Sequence, residues 1–581
     1  MNIISVITLF GGLAFFLYGM NVMSTGLEKI AGGKLEGILK KMTSNVFSSM
    51  ALGAIITIAI QSSSALTVML VGLVNSGIMS LSQTIGVIMG SNIGTTLTAW
   101  ILSLAGIESD NIFLMLLKPE SFAPAVAFIG IILIMCSKKT RQQDIGKIFI
   151  GFSVLMYGME LMSGAVEPLR EMEEFSNILT LFTNPILGVI VGAVFTGVIQ
   201  SSAASVGILQ ALSLTGKISY GMAIPIIMGQ NIGTCVTAVL SSIGVNKNAK
   251  RVSVVHISFN VIGTVVCLVV YYTLDLIFNF TFTELQISPV GIAFVHSLFN
   301  FATTAMLLPF TKQLEKIACK VVPGDASQEK TELLDERLLS TTAVAIARCK
   351  ELTDEMATMA NDSFLKAMKL MRQYDEQIAT EIEQQESIID MYEDKLGSFL
   401  VKISRKSLSV EDSHKTSNLL HTIGDFERIG DHAADMVKVA REVHEKGIKF
   451  SPDAQNGIWV ISGALEEILS LTLKSFVNED IELAKQIEPL EQVVDKLKYK
   501  MKNDHIARLQ KDECTIESGF VFNDLLTNYS RVADHCSNIA VCLIQVADDS
   551  FDTHEYLNNV KSHGDVDFDE MYKAFKQKYK L

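Results

Sequence analysis

The chain has 581 residues and a net charge of −14, too long for one ordinary domain, and its mean hydropathy of +0.35 averages two unlike parts. Residues 1–320 hold 17 Lys+Arg and 14 Asp+Glu, whereas residues 321–581 hold 31 and 48, so a near-neutral apolar part precedes one with a net charge of −17. An acidic part with no basic run argues against nucleic acid as a partner, and the absence of a nucleophile–His–acid set, a P-loop or an HExxH motif argues against an enzyme.

The first twenty residues, MNIISVITLFGGLAFFLYGM, are apolar but lack a basic leader and a small-residue cleavage site, which predicts a retained span. From Asn45 to Ala105 there is no Asp, Glu, Lys or Arg, a stretch long enough for two or three passes at about 20 residues each. The eight cysteines show no CxxC spacing and fall mostly in apolar segments, which predicts buried reduced thiols rather than a disulfide framework.

Shifting the sequence by 139 residues aligns 53–98 with 192–237, with 21 of 46 positions identical and no insertion. The same offset carries Tyr18-Gly19-Met20 onto Tyr157-Gly158-Met159 and Asn45 onto Asn184. Charge in the matching connections is opposite in sign. Residues 25–44 include Lys29, Lys34, Lys40 and Lys41, whereas 164–183 include Glu167, Glu171, Glu173 and Glu174. Glu108 and Asp110 follow the first half, and Lys247, Lys250 and Arg251 follow the second. Since short cytoplasmic loops are rich in Lys and Arg, the two halves are expected to be inverted. Lys138, Lys139, Arg141 and Lys147 then lie inside, as do Lys312, Lys316 and Lys320, which puts the C-terminal part in the cytoplasm.

Each half carries a polar cluster in an apolar setting: Gln61-Ser62-Ser63-Ser64 and Gln200-Ser201-Ser202. Hydroxyls and amides at membrane depth are costly without partners, so such clusters should line a cavity or bind something. Both groups donate and accept, and can therefore serve an anion through protons and Na+ through oxygen. Serines compete for backbone hydrogen bonds, which makes a helix break at these motifs plausible, and broken ends would add N–H groups toward an anion and carbonyls toward a cation. A second motif, with Asn92, Thr95 and Thr96 in the first half and Asn231 and Thr234 in the second, sets amides and hydroxyls among glycines in the same way. A lone cluster of this kind most often bonds its own helix backbone, but two at identical spacing point to a site.

These paired motifs resemble the type II sodium–phosphate cotransporters and their bacterial relatives, over about residues 1–310. The resemblance implies two inverted repeats, a phosphate and Na+ site formed by Gln61, Ser62, Ser63, Ser64, Gln200, Ser201 and Ser202, and Asn92, Thr95, Thr96, Asn231 and Thr234 around it. One departure stands out: Ser64 becomes Ala203 in the second half, so the half-sites are chemically unequal. Two further segments carry His256 with Asn260 and His296 with Asn300, i and i+4 pairs expected to hydrogen-bond across to neighbouring helices.

After Pro323-Gly324 the pattern turns to long charged helices with apolar residues at i, i+3 and i+4, which predicts a helical bundle. Glu386 and Asp390, Glu427 and Asp431, and Glu491 and Asp495 each place two carboxylates on one helix face, a spacing that can hold a divalent or ferric ion in a bundle core. This part resembles the PhoU family, two three-helix bundles in tandem with a recurring acidic motif. Asp425, Glu427, Asp431 and Asp534 carry the closest matches, while Ser530 stands where a carboxylate is expected, which would weaken one metal cluster.

The expected architecture is therefore all-α: a polytopic transmembrane domain over residues 1–320 with repeats at about 12–137 and 151–310, a linker at 321–335, and a cytoplasmic PhoU-like domain at 336–581. The expected function is phosphate symport with Na+ across the inner (plasma) membrane. Its partners are inorganic phosphate, sodium and the lipid bilayer, with a homodimer left open. An uncoupled phosphate channel, exporter or sensor is the alternative. Without a Walker motif an ion gradient must drive uphill movement, and a neutral site suits a cation paired with a divalent anion.

Overall fold

The computed structural model describes residues 3–41, 45–104, 119–137, 139–172, 181–324, 333–406, 408–547 and 566–581. The loop charges Glu108, Asp110, Lys138, Glu173 and Glu174 lie outside these residues. The described residues are helical apart from turns and one isolated bridge, Ser219 with Gln286. The chain divides into two compact units, Met1–Val344 and Ala345–Leu581.

The first unit runs α1 (Ile3–Lys41), α2 (Val46–Ile60), α3 (Ser63–Asn75), α4 (Leu81–Ser103), α5 (Pro119–Cys136), α6 (Thr140–Val166), α7 (Pro185–Ile199), α8 (Ser202–Ser213), α9 (Tyr220–Gly233), α10 (Cys235–Ser241), α11 (Lys247–Phe278), α12 (Pro289–Leu307) and α13 (Thr311–Val321). Six segments are long and apolar enough to cross a membrane, and α2, α3, α7 and α8 are apolar helices of 12 to 15 residues. At about 1.5 Å per residue each of these is roughly 18–22 Å long, shorter than the roughly 30 Å of a full passage.

The two repeats pack alike. Gly53 of α2 faces the Val87 carbonyl of α4 and Gly90 faces the Met50 carbonyl; Gly192 of α7 faces the Ile226 carbonyl of α9 and Gly229 the Val189 carbonyl. A Cβ at any of the four would strike backbone, so glycine is what lets each half-helix lie flat on its neighbour. The repeat-related helices α1 and α6 also touch each other, Gly12 at the Gly158 carbonyl and Gly19 at the Gly151 carbonyl. Partner numbers fall as α1 numbers rise, so these equivalent helices run antiparallel. Phe16, Leu155 and Met159 from this crossing join Leu102 of α4 and Ala204 of α8 in a buried core that ties the halves together.

Beyond α13 the chain turns back on the first unit. Arg251 of α11 donates from Nε to the Val322 carbonyl (3.1 Å) and from Nη2 to the Gly324 carbonyl (2.7 Å). A 3-10 turn, Glu336–Ser340, then docks on the C-terminal end of α3. There the fully buried Asp335 accepts from Asn75 Nδ2 (2.5 Å) and pairs with Arg337 (3.1 Å), whose guanidinium also donates to the carbonyls of Ser241 (2.6 Å) and Ile243 (2.8 Å). The first unit therefore reaches past the linker expected at 321–335, because Asp335 and Leu338 are buried in it.

The second unit holds α14 (Thr342–Leu370), α15 (Glu376–Ser404), α16 (Val410–Lys446), α17 (Pro452–Asn478), the short α18 (Ile481–Ala484), α19 (Ile487–Gln510), α20 (Ile516–Ala547) and α21 (Val566–Lys578). Helix starts are set by side-chain caps: Asp375, Ser409, Ser451 and Asp480 each accept from first-turn N–H groups. The long helices close on a core that includes the buried rings of Phe364, Phe426, Phe476 and Tyr529.

Candidate functional site

Both helix breaks fall at the glutamine of the repeated motif. α2 stops at Ile60 because Gln61 takes a left-handed backbone (φ 56°), and α7 stops at Ile199 because Gln200 does the same (φ 58°). The next residue caps a new helix: Ser62 Oγ accepts from the Ala65 N–H (3.1 Å) and Ser201 Oγ from the Ala204 N–H (3.2 Å). Serine is among the best residues for this position. A left-handed non-glycine residue costs about 1–2 kcal/mol, so glycine would turn the chain with less strain; an amide side chain stands there in both halves instead.

The two breaks converge on one cavity of about 260 Å³, lined by Gln61, Ser62, Ser63 and Ser64 from the first repeat and Gln200, Ser201, Ser202 and Ala203 from the second. Thr95, Thr98, Thr57 and the α1 residues Met20, Asn21 and Ser24 complete the lining, which among the described residues contains no charged side chain. Ser63 and Ser64 of α3, Ser202 and Ala203 of α8 and Thr57 in the last turn of α2 are part of that lining, so the N-termini of α3 and α8 and the C-terminus of α2 adjoin the cavity. Helix N-termini favour an anion and C-termini a cation.

The halves are unequal beyond Ser64 and Ala203. Gln61 is buried, accepts from Thr98 Oγ1 (2.9 Å) and donates to the Ile58 carbonyl (2.7 Å), whereas Gln200 is exposed. Thr57 Oγ1 is buried at the cavity without a hydrogen-bond partner among the described residues, while its repeat equivalent Thr196 donates to Ser205 Oγ (2.7 Å). Thr57 and Thr98 were not singled out from the motifs, although both are identical to their repeat equivalents, Thr196 and Thr237.

The second motif behaves differently. Asn92 and Asn231 donate to the carbonyls of Ile88 and Ile227, both at 3.0 Å, and Thr96 and Thr234 donate to those of Ile93 (2.7 Å) and Asn231 (2.6 Å). These four sit behind the cavity and bond their own helices; Thr95 lines the cavity while donating to the Ser91 carbonyl (2.9 Å).

In the second unit, Glu386, Asp390 and Asp431 bring one oxygen each to within 4.8 Å of one another. Glu427 lies beside them, its carboxyl pushed up to about 7 first by burial and then by Asp431, Asp390 and Glu393. Burial and like charge also raise Glu386, Asp390 and Glu393. Three oxygens so close under mutual repulsion fit a divalent or ferric cation. Asp425 stands apart, accepting from His535 Nδ1 (2.8 Å) and Asn538 Nδ2 (3.3 Å). Among Glu491, Asp495 and Asp534 an ammonium is already present: Lys498 donates to Ser530 Oγ (2.8 Å) and pairs with Asp495 (3.4 Å), while Arg531 pairs with Asp534 (3.5 Å).

Comparison with known proteins agrees with both halves of this description. The chain matches the Na+/Pi-cotransporter family over residues 15–164 and 155–308, and the PhoU domain over residues 353–440 and 460–543. It is 23% identical to YjbB of Escherichia coli (strain K12), named for inorganic phosphate export, over 95% of this chain and all of that one. It is 36% identical to the sodium-dependent phosphate transport protein 2A of Rattus norvegicus over 19% of this chain and 18% of that one. The solved structure of PhoU from Pseudomonas aeruginosa is similar at 20% identity and a TM-score of 0.31, over 36% of this chain and 98% of that one.

Proposed function

The chain belongs to the Na+/Pi-cotransporter family, with two PhoU domains following, and from that premise we propose that it carries inorganic phosphate together with Na+ through the cavity between its two Gln-Ser-Ser breaks. The convergence of both motifs on one uncharged cavity supports this reading above any other observation. Phosphate takes the N-terminal side, drawing on the N–H groups of α3 and α8 and on serine hydroxyls. Na+ takes oxygens from glutamine, serine and the C-terminal carbonyls of α2 and α7. With no Lys or Arg in the lining, an anion alone would be left uncompensated in a low-dielectric setting, and Na+ alone likewise. Each ion makes the other's entry favourable, and that mutual dependence is coupling.

Alternating access suits inverted halves, and the antiparallel packing of the repeat-related α1 and α6 supports inversion. The Lys- and Arg-bearing connections set the second unit in the cytoplasm, with the first spanning the plasma membrane. In that unit Glu386, Asp390, Asp431 and Glu427 hold a divalent or ferric cation, and the unit regulates transport without taking part in it. A coupled carrier runs in the direction its gradients set, so the relative named for export favours outward movement as a second reading.

Phosphate flux into proteoliposomes, with Na+ or choline outside, tests the proposal. Flux that depends on Na+ is expected. Equal flux in the two media would leave an uncoupled pathway.

A further inference from the structure

The second unit is strongly acidic, yet among the described residues one of its cavities is lined by five lysines and no carboxylate side chain. This cavity, of about 580 Å³, lies between α19 and the segment from α21 onward. Lys496 and Lys500 stand one turn apart on α19; Lys573, Lys576 and Lys580 face them from the other side. Like charges at these spacings weaken a helix, and rows of them facing across a gap repel further. Lys496 stands over the Tyr572 ring (4.4 Å) and reaches its hydroxyl, and Lys500 donates to the Leu581 carbonyl oxygen (2.9 Å). Val493, Leu497 and Tyr579 supply apolar and aromatic wall beside the charges.

We propose that this cavity binds an organic polyphosphate of nucleotide size, independently of the transport site. Lysines meet phosphates as point charges and neutralise several at once. The volume far exceeds one phosphate and falls in the range that small organic ligands fill. The tyrosine and aliphatic wall gives a base a surface to lie on, which inorganic phosphate would leave bare. The net negative charge of the unit repels anions in general, so only a ligand with enough charge to engage several lysines together gains from entering.

Calorimetric titration of the full-length protein in nanodiscs with ATP and, separately, with tripolyphosphate tests this. We expect one saturable ATP site per chain, tighter for ATP than for tripolyphosphate and weakened by added salt. The double substitution K496Q/K576Q should weaken ATP about tenfold or more. A control, K449Q, removes an exposed lysine away from the cavity and should leave binding unchanged, and unaltered melting of every variant excludes misfolding as the cause. Absence of ATP binding at millimolar concentration, equal affinity for the two ligands, or binding that survives K496Q/K576Q would each overturn the assignment. So would lysine-dependent adsorption to anionic-lipid vesicles with no ATP binding, which would make the patch a membrane contact.

Discussion

Gln200 separates what the backbone needs from what the ligand needs. Its left-handed conformation (φ 58°) would suit glycine better by about 1–2 kcal/mol, and its side chain lines the cavity. Gln200→Gly should therefore melt at the same temperature as the parent or higher, while phosphate affinity in transport falls about ten- to hundredfold, the effect of losing one hydrogen bond to a charged partner at roughly 1.5–3 kcal/mol. If the amide serves only to turn the chain, the variant will transport as the parent does. Gln61 is less clean, because its amide also holds Thr98 and the Ile58 carbonyl. The unpartnered Thr57 hydroxyl adds a donor that only the first half offers. With Ser64 it makes that half the richer in oxygen.

At the scale of elements, the breaks at Gln61 and Gln200 were legible in the sequence because serine capping and the duplicated spacing pointed the same way. The roles of Asn92, Thr96, Asn231 and Thr234 were not: a polar side chain bonding its own i−3 or i−4 carbonyl has the same sequence as one facing a cavity. The same ambiguity hid Asn300, which donates to the His296 carbonyl (2.8 Å) in its own helix, whereas Asn260 donates both to its own helix at the His256 carbonyl (3.0 Å) and, as expected, across to Cys235 Sγ of α10 (3.4 Å). The acidic spacing alone also left out Lys498, three residues after Asp495 on the same helix, and its contact with Ser530 of a different helix was not legible in the sequence. The carboxylates of α15 and α16 do make a measurable prediction. Glu427, ordinarily near 4.5 and raised to about 7, binds its proton more tightly folded than unfolded. Its stabilising contribution is complete below about pH 4.5 and is lost as the pH rises through about 7. Glu386, Asp390 and Glu393 shift the same way. The melting temperature of the second unit in chelator should consequently fall from pH 5 to pH 8, and Glu427→Gln should flatten that fall. A divalent cation should flatten it as well by answering the repulsion. A pH profile indifferent to both would rule out the shared cation site.

For the whole molecule, the decisive join is the turn from Asp335 to Ser340, invisible in the sequence because Asn75 and Asp335 are separated by 260 positions. α3 begins at the cavity with Ser63 and ends at Asn75, where Asp335 accepts its amide proton and Arg337 spans to the carbonyls of Ser241 and Ile243. One helix, roughly 20 Å long at about 1.5 Å per residue, thus connects the cavity to the stretch of chain that leads into the second unit. Two shortened chains test whether that turn belongs to the carrier. A chain ending at Val344 retains the buried pair and should fold and transport phosphate. One ending at Val322 takes Asp335 from the Asn75 amide and Arg337 from both carbonyls, and should melt lower and transport less. Arg337→Ala in the full chain isolates the cause, because it leaves Asp335 buried without its cation, a loss of about 3–5 kcal/mol for a pair of this kind. It should reproduce most of the difference between the two shortened chains. Equal stability and equal flux in both would show that the turn only passes over α3, and that any control exerted by the second unit reaches the cavity by another route.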